Sequence, residues 1–165
     1  MKHRQGMAAL CLTLAGCAQT TGDAMENTTA PIRVLASQDQ CGGLHRPAAR
    51  WIASASEWRQ LYAQVNNQWM NPPPPPAVDF SRDGVLAVAM GQRSSGGYGL
   101  TLAEPSASVR DGVLTVRVDW REAARGGYQT QALTNPCLLL KLPAVEFTRI
   151  QVVDQAGRVR LEGSR

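Results

Sequence analysis

Apolar residues recur along this chain in three rhythms. Met7-Ala8-Ala9-Leu10-Cys11-Leu12-Thr13-Leu14 is a short, nearly unbroken apolar run close to the N-terminus. It falls well below the about 20 residues that a bilayer-spanning helix needs. From Ala18 to Ala30 the chain is polar and has no apolar period, the pattern of a flexible tether. Around residue 60 the period becomes helical. Trp58, Leu61, Tyr62, Val65 and Trp69 stand at i, i+3, i+4, i+7 and i+11 and form one stripe. Ser54 and Glu57 fit a capping box, so the spacing predicts a helix from Ser54 to about Asn67. Its stripe reads as a face docked on a sheet. Pro72 to Pro76 stop it and favour polyproline II. That run is either a stiff connector or a docking peptide for a partner.

Beyond Ala77 the rhythm is that of strands. Val85 to Met90 is a compact apolar run, the mark of a strand buried on both faces. Val113 to Trp120 alternates, with Leu114, Val116, Val118 and Trp120 on one side and Thr115, Arg117 and Asp119 on the other. Asp111-Gly112 joins it to Ser106–Arg110 as a hairpin, since both turn positions want positive φ. Pro31 to Leu35, Tyr98 to Leu102, Gln129 to Leu133, Cys137 to Leu142, Thr148 to Val153 and Arg158 to Glu162 complete the predicted strands. The expected fold over residues 31–165 is a single mainly β (α+β) domain. It is an antiparallel β-sandwich or a partly open barrel, with one N-terminal amphipathic helix packed on it.

The N-terminal run gains meaning from its flanks. Lys2 and Arg4 precede it, and Leu14-Ala15-Gly16-Cys17 follows. Small residues before the cut let an extended chain enter a peptidase site, and the freed cysteine can carry acyl chains. This segment resembles the lipobox of bacterial lipoproteins. The resemblance implies a signal peptide at 1–16, lipidation of Cys17, and a tether over 17–30. Two or three acyl chains, at about 0.8 kcal/mol per buried CH₂, hold a protein on a membrane. Ala18 stands where Asp signals inner-membrane retention in enteric bacteria. The expected place is therefore the cell envelope, on the outer membrane, facing the periplasm.

Charge and cysteines narrow the chemistry. The net charge is +4 from 17 basic and 13 acidic residues, but two of the basic ones, Lys2 and Arg4, lie in the leader. The remaining arginines are scattered, with no run that would follow a phosphate backbone, so nucleic acid is not an expected partner. With Cys11 in the leader and Cys17 acylated, Cys41 and Cys137 are left as a pair in an oxidising compartment. They are expected to form a disulfide; two buried thiols, or one reactive thiol, is the other reading. Cys41 and His45 offer no second pair of metal ligands, so no metal site is expected. His45 is the one histidine after the leader, and the nucleophile-elbow, zinc-protease and phosphate-loop patterns are missing. The expectation is a protein without catalytic residues, cofactor or bound small molecule.

The segment that stands out is Gly91-Gln92-Arg93-Ser94-Ser95-Gly96-Gly97-Tyr98-Gly99, between two predicted strands. Arg93, Ser94, Ser95, Gly96, Gly97 and Tyr98 make a candidate partner-binding loop, because arginine and aromatic residues dominate binding hot spots. Alternatively, the glycines serve tight turns and Tyr98 packs in the core. Arg125-Gly126-Gly127-Tyr128 is a second patch of similar composition.

Val78-Asp79-Phe80-Ser81, the apolar strand ending Gly91-Gln92, the Ser95-Gly96-Gly97-Tyr98 loop and the later Thr134-Asn135-Pro136 resemble the PrcB C-terminal family. The likeness covers about residues 77–154. Ser94-Ser95 stand where relatives often carry Pro-Thr. The family is named for a lipoprotein subunit of a spirochaete surface protease complex. The resemblance implies a non-catalytic accessory role, supporting assembly or stability of an envelope protease. The loop also resembles that of chagasin-type cysteine protease inhibitors, β-sandwich proteins that plug an active site. A lipid-anchored interaction module, a protease inhibitor and a structural envelope lipoprotein are the three functions open at this point.

Overall fold

The computed structural model describes residues 27–124, 126 and 129–165. The leader, Cys17, most of the expected tether, and Arg125, Gly127 and Tyr128 of the second patch lie outside the described residues.

The described chain is mainly β. Its strands are β1 (Thr28–Pro31), β2 (Arg33–Gln38), β3 (Ala48–Ile52), β4 (Asp83–Ala89), β5 (Gly99–Leu102), β6 (Ser106–Arg110), β7 (Val113–Arg121), β8 (Cys137–Pro143), β9 (Arg149–Val153) and β10 (Val159–Ser164). One helix, α1 (Ala55–Val65), lies between β3 and β4. The strands form two open sheets. One has the order β2-β8-β4-β3; the other has β1-β6-β7-β9-β10, with β5 paired to the last residues of β7.

Side-chain alternation explains the layers. Leu86 and Val88 of β4, Met90 just after it, and Leu138, Leu140 and Leu142 of β8 meet Leu114, Val116, Val118 and Trp120 of β7 and Ile150 and Val152 of β9. This shared layer is the main core. Burying each such side chain contributes about 1.5–3 kcal/mol. Val85, Ala87 and Ala89 of β4 and Leu139 of β8 face the other way, where Trp58, Leu61, Tyr62 and Val65 of α1 cover them. The two central strands of this sheet are thus buried on both faces, which is why β4 and β8 read as solid apolar runs. Ser54 caps α1 by accepting the Glu57 N–H at 3.3 Å. The Asp111-Gly112 turn has φ of 52° and 70°, both in the left-handed region that this hairpin needs.

Several details depart from the sequence reading. The pairing is not antiparallel throughout, because β7 and β9 run parallel, from Val113 opposite Arg149 to Arg117 opposite Val153. The chain between them passes through the other sheet as β8, so a direct hairpin is impossible. The expected strand at Pro31 is two strands. β1 pairs with β6 and buries Ala30, inside the expected tether, and the chain then crosses to the other sheet as β2. Gln129 to Leu133 is not a strand; its backbone serves a neighbouring loop instead. Trp69 falls outside the helical stripe because α1 ends at Asn66. There the backbone N–H and the side-chain amide of Asn66 both donate to the Tyr62 carbonyl, at 3.1 and 2.9 Å.

Candidate functional site

Four connections meet where β4 ends and β8 begins. They are residues 39–47, the turn at 66–71 after α1, the glycine-rich loop 91–98, and the segment 122–136 between β7 and β8. Cys41 and Cys137 are joined by a disulfide at this end, with Cα atoms 6.0 Å apart and both residues fully buried.

The glycine-rich loop is held in place by the segment before β8. The Arg93 N–H donates to the Thr134 carbonyl at 2.7 Å, and the Thr134 N–H returns a bond to the Arg93 carbonyl at 3.0 Å. The Thr134 hydroxyl donates to the Ser95 carbonyl at 3.0 Å, and the Gly96 N–H donates to the Thr130 carbonyl at 2.9 Å. Thr134 is buried, and the Pro136 carbonyl accepts the Met90 N–H at 2.9 Å. Thr134-Asn135-Pro136 therefore fastens the loop that β4 feeds, which gives the motif a physical reason.

Within the loop, Arg93 is pinned. One guanidinium nitrogen donates to the Met90 carbonyl at 2.8 Å, and the group lies 5.3 Å from the centre of the Tyr98 ring. Such a cation–π contact at a part-exposed site is worth about 0.5–1 kcal/mol. Tyr98 itself is half-buried and packs against the main core, so it anchors the loop as well as lining it. Gly97 has φ +87°, and a Cβ there would come within 2.3 Å of the Gln129 side chain. Ser94 and Gly97 are exposed, and Ser95 and Gly96 half-buried. The structure thus brings the six candidate residues onto one ordered turn. It also sets them against Ala123, Gln129 and Thr130, which flank the second glycine patch.

Two residues that the sequence reading assigned no role lock this end further. Asn66 is buried and receives a bond from the Gln38 amide at 3.3 Å, tying α1 to β2. Gln40 donates to the Leu133 carbonyl at 2.8 Å and accepts at its own carbonyl from the Gln68 amide at 2.7 Å. An asparagine just past an apolar helical stripe is a local signal for the first. Nothing local marks the second, whose partners lie far away in sequence.

The Ser95 hydroxyl donates to the Gly96 carbonyl at 3.3 Å. His45 is exposed, with Nδ1 3.5 Å from the Asn135 amide nitrogen. Among the described residues, no three of His, Cys, Asp or Glu gather into a group that could hold a metal ion. Beside the loops, a cleft of about 320 Å³ is lined by Ser37, Asp39, Leu100, Asp119 and Arg121, among others.

Asp154 is a buried carboxylate in the β9–β10 turn, on the sheet that carries β7. It closes the β9–β10 turn, accepting the N–H groups of Ala156 and Arg158 at 2.9 and 3.0 Å and the Arg158 guanidinium at 3.0 Å. Burial alone would raise its pKa, but these bonds and the Arg158 charge outweigh it and hold the carboxyl below its ordinary value. Its work is structural.

Residues 85–143 match a family model described as PrcB C-terminal, the family that the sequence resembles. The matched stretch runs from β4 through β8. It contains the glycine-rich loop, the Asp-Gly hairpin and Thr134-Asn135-Pro136, and leaves out α1, Cys41 and the β9–β10 hairpin. No curated protein and no solved structure matches the chain.

Proposed function

We propose that this chain is a lipid-anchored, non-catalytic accessory protein of the bacterial cell envelope. In this reading Cys17 carries the anchor, the outer membrane is its site, and the loop-bearing end docks a protein partner. The family match and its name favour a protease as that partner, supported in assembly or stability rather than cut or inhibited.

One observation carries the reading. The Arg93–Tyr98 loop is fixed in the free chain by bonds to Thr130 and Thr134, and by Arg93 bridging the Met90 carbonyl and the Tyr98 ring. A loop ordered in advance loses little conformational entropy on binding, which is how a small surface gains affinity.

The test is co-purification of the lipidated protein from its native envelope after mild crosslinking. Ser94 is exposed, so Ser94→Trp adds bulk without entering the core. The expected result is a reproducible protease partner with the unaltered chain, and its loss with Ser94→Trp at equal folded protein. An unchanged set of partners would sink the loop's role. Recovery of only cell-wall or outer-membrane components would favour a structural lipoprotein.

A further inference from the structure

Trp69 is 61% exposed, Met70 96% and Leu133 60%, three of the five large apolar side chains left open to solvent among the described residues. All three sit at the loop-bearing end. Leu133 precedes Thr134, the residue that fastens the glycine-rich loop. Gln40 bonds the Leu133 carbonyl and is itself bonded by Gln68, the neighbour of Trp69. Gln40 thus ties the turn that carries Trp69 and Met70 to Leu133, and the next residue, Thr134, is bonded to Arg93. Exposed tryptophan, methionine and leucine beside arginine and tyrosine is the composition of an interface centre, rich in hot-spot residue types. Trp69 and Met70 lie outside the matched family segment, and neither is used by the core.

We infer that Trp69, Met70 and Leu133 form the apolar half of the docking surface, and that their occupant is a protein partner presenting an apolar pocket or groove. The inference rests on the reading of the loop end given above and extends it to residues beyond the loop. The path of the chain argues against a membrane as occupant. Residues 1–26 lead into β1, whose Thr28 pairs with Val109 beside the Asp111-Gly112 turn, at the far end of the molecule. The nine residues of β7 run from that end to the loop end, a span of about 27 Å at 3.4 Å per residue. The segment that would carry the lipid therefore joins the domain at the end opposite Trp69 and Leu133.

The experiment places the photo-crosslinker benzoylphenylalanine, one site at a time, at positions 69, 70, 133 and 94 of the full lipidated chain in its native envelope. Positions 34 and 159, exposed valines on β2 and β10, serve as controls. Supporting the inference, 69, 133 and 94 crosslink one and the same protein, and 34 and 159 do not. In the complex purified afterwards, Trp69→Ala and Leu133→Ala each weaken binding about tenfold or more, and Val34→Ala less than about twofold. Crosslinks from 69 and 133 to lipid, or to a second copy of this chain, overturn it. So do crosslinks of a partner from 94 but not from 69 or 133, which would leave the loop reading standing. Failure of every position to reach a protein overturns both.

Discussion

Among single residues, Thr134 and Gly97 have the greatest hold on the loop. Thr134→Val keeps the shape but leaves the Ser95 carbonyl without its hydroxyl donor. The expected cost is about 1–3 kcal/mol in denaturant unfolding, with faster amide exchange across Arg93 to Gly96. In Gly97→Ala the Gln129 amide can swing aside, but the φ of +87° cannot be relaxed without moving the loop. A loss of about 1–2 kcal/mol is expected, again read by unfolding. Asp154 sets a pH dependence of definite sign. Its folded pKa lies below the unfolded one, so its stabilisation is complete above the ordinary carboxylate range and is lost as pH falls through the folded value. Asp154→Asn should therefore lower Tm at neutral pH, and the gap to the unaltered protein should narrow as the solution is made acidic enough to protonate the folded carboxyl. A gap that stays constant with pH would show that the carboxylate charge is not what holds the turn.

Elements show which signals a sequence carries. The Asp111-Gly112 hairpin and the doubly buried β4 were legible because turn chemistry and side-chain period are local. The stripe Trp58, Leu61, Tyr62 and Val65 is the buried face of α1, but the period did not say that Asn66 would end it and leave Trp69 in water. β3 carries a weak signal because Ala48 to Ile52 is short and holds only two large apolar residues, Trp51 and Ile52. It becomes a strand by pairing with β4, with Trp51 stacked edge-on against Phe147 at 5.0 Å. The parallel β7–β9 pair and the ties of Thr130 and Thr134 to the glycine-rich loop join residues far apart in sequence. No local pattern encodes such contacts. The disulfide is the element-scale test. Cys41 and Cys137 are 96 residues apart, so replacing both with alanine should cost about 2–5 kcal/mol. Because Cys41 also donates its N–H to the Asn135 carbonyl at 2.9 Å, the exchange of loop amides should rise more than that of β7 amides. Equal loss in both places would mean that the bond holds the fold alone and not the loop end.

At the scale of the whole molecule, the two sheets separate the point where the chain enters from the clustered loops. The chain enters at one end, through β1, and its ordered loops lie at the other. The proline run fits this plan as a stiff return path. α1 climbs to the loop end at about 1.5 Å per residue, and the chain through Pro72 to Pro76 returns to the start of the helix. The carbonyl of its last proline, Pro76, is held by the Trp58 indole N–H at 3.0 Å. The proposed docking loops thus lie at the end opposite the one where the chain enters the sheets. The most direct test of that account is the abundance of envelope peptidases in three strains: unaltered, lacking this chain, and carrying only Ser94→Trp. The account predicts that one and the same peptidase falls in the second and third strains while the Ser94→Trp protein itself stays at its normal level. No change in any peptidase without the chain, or full restoration by Ser94→Trp, would contradict it.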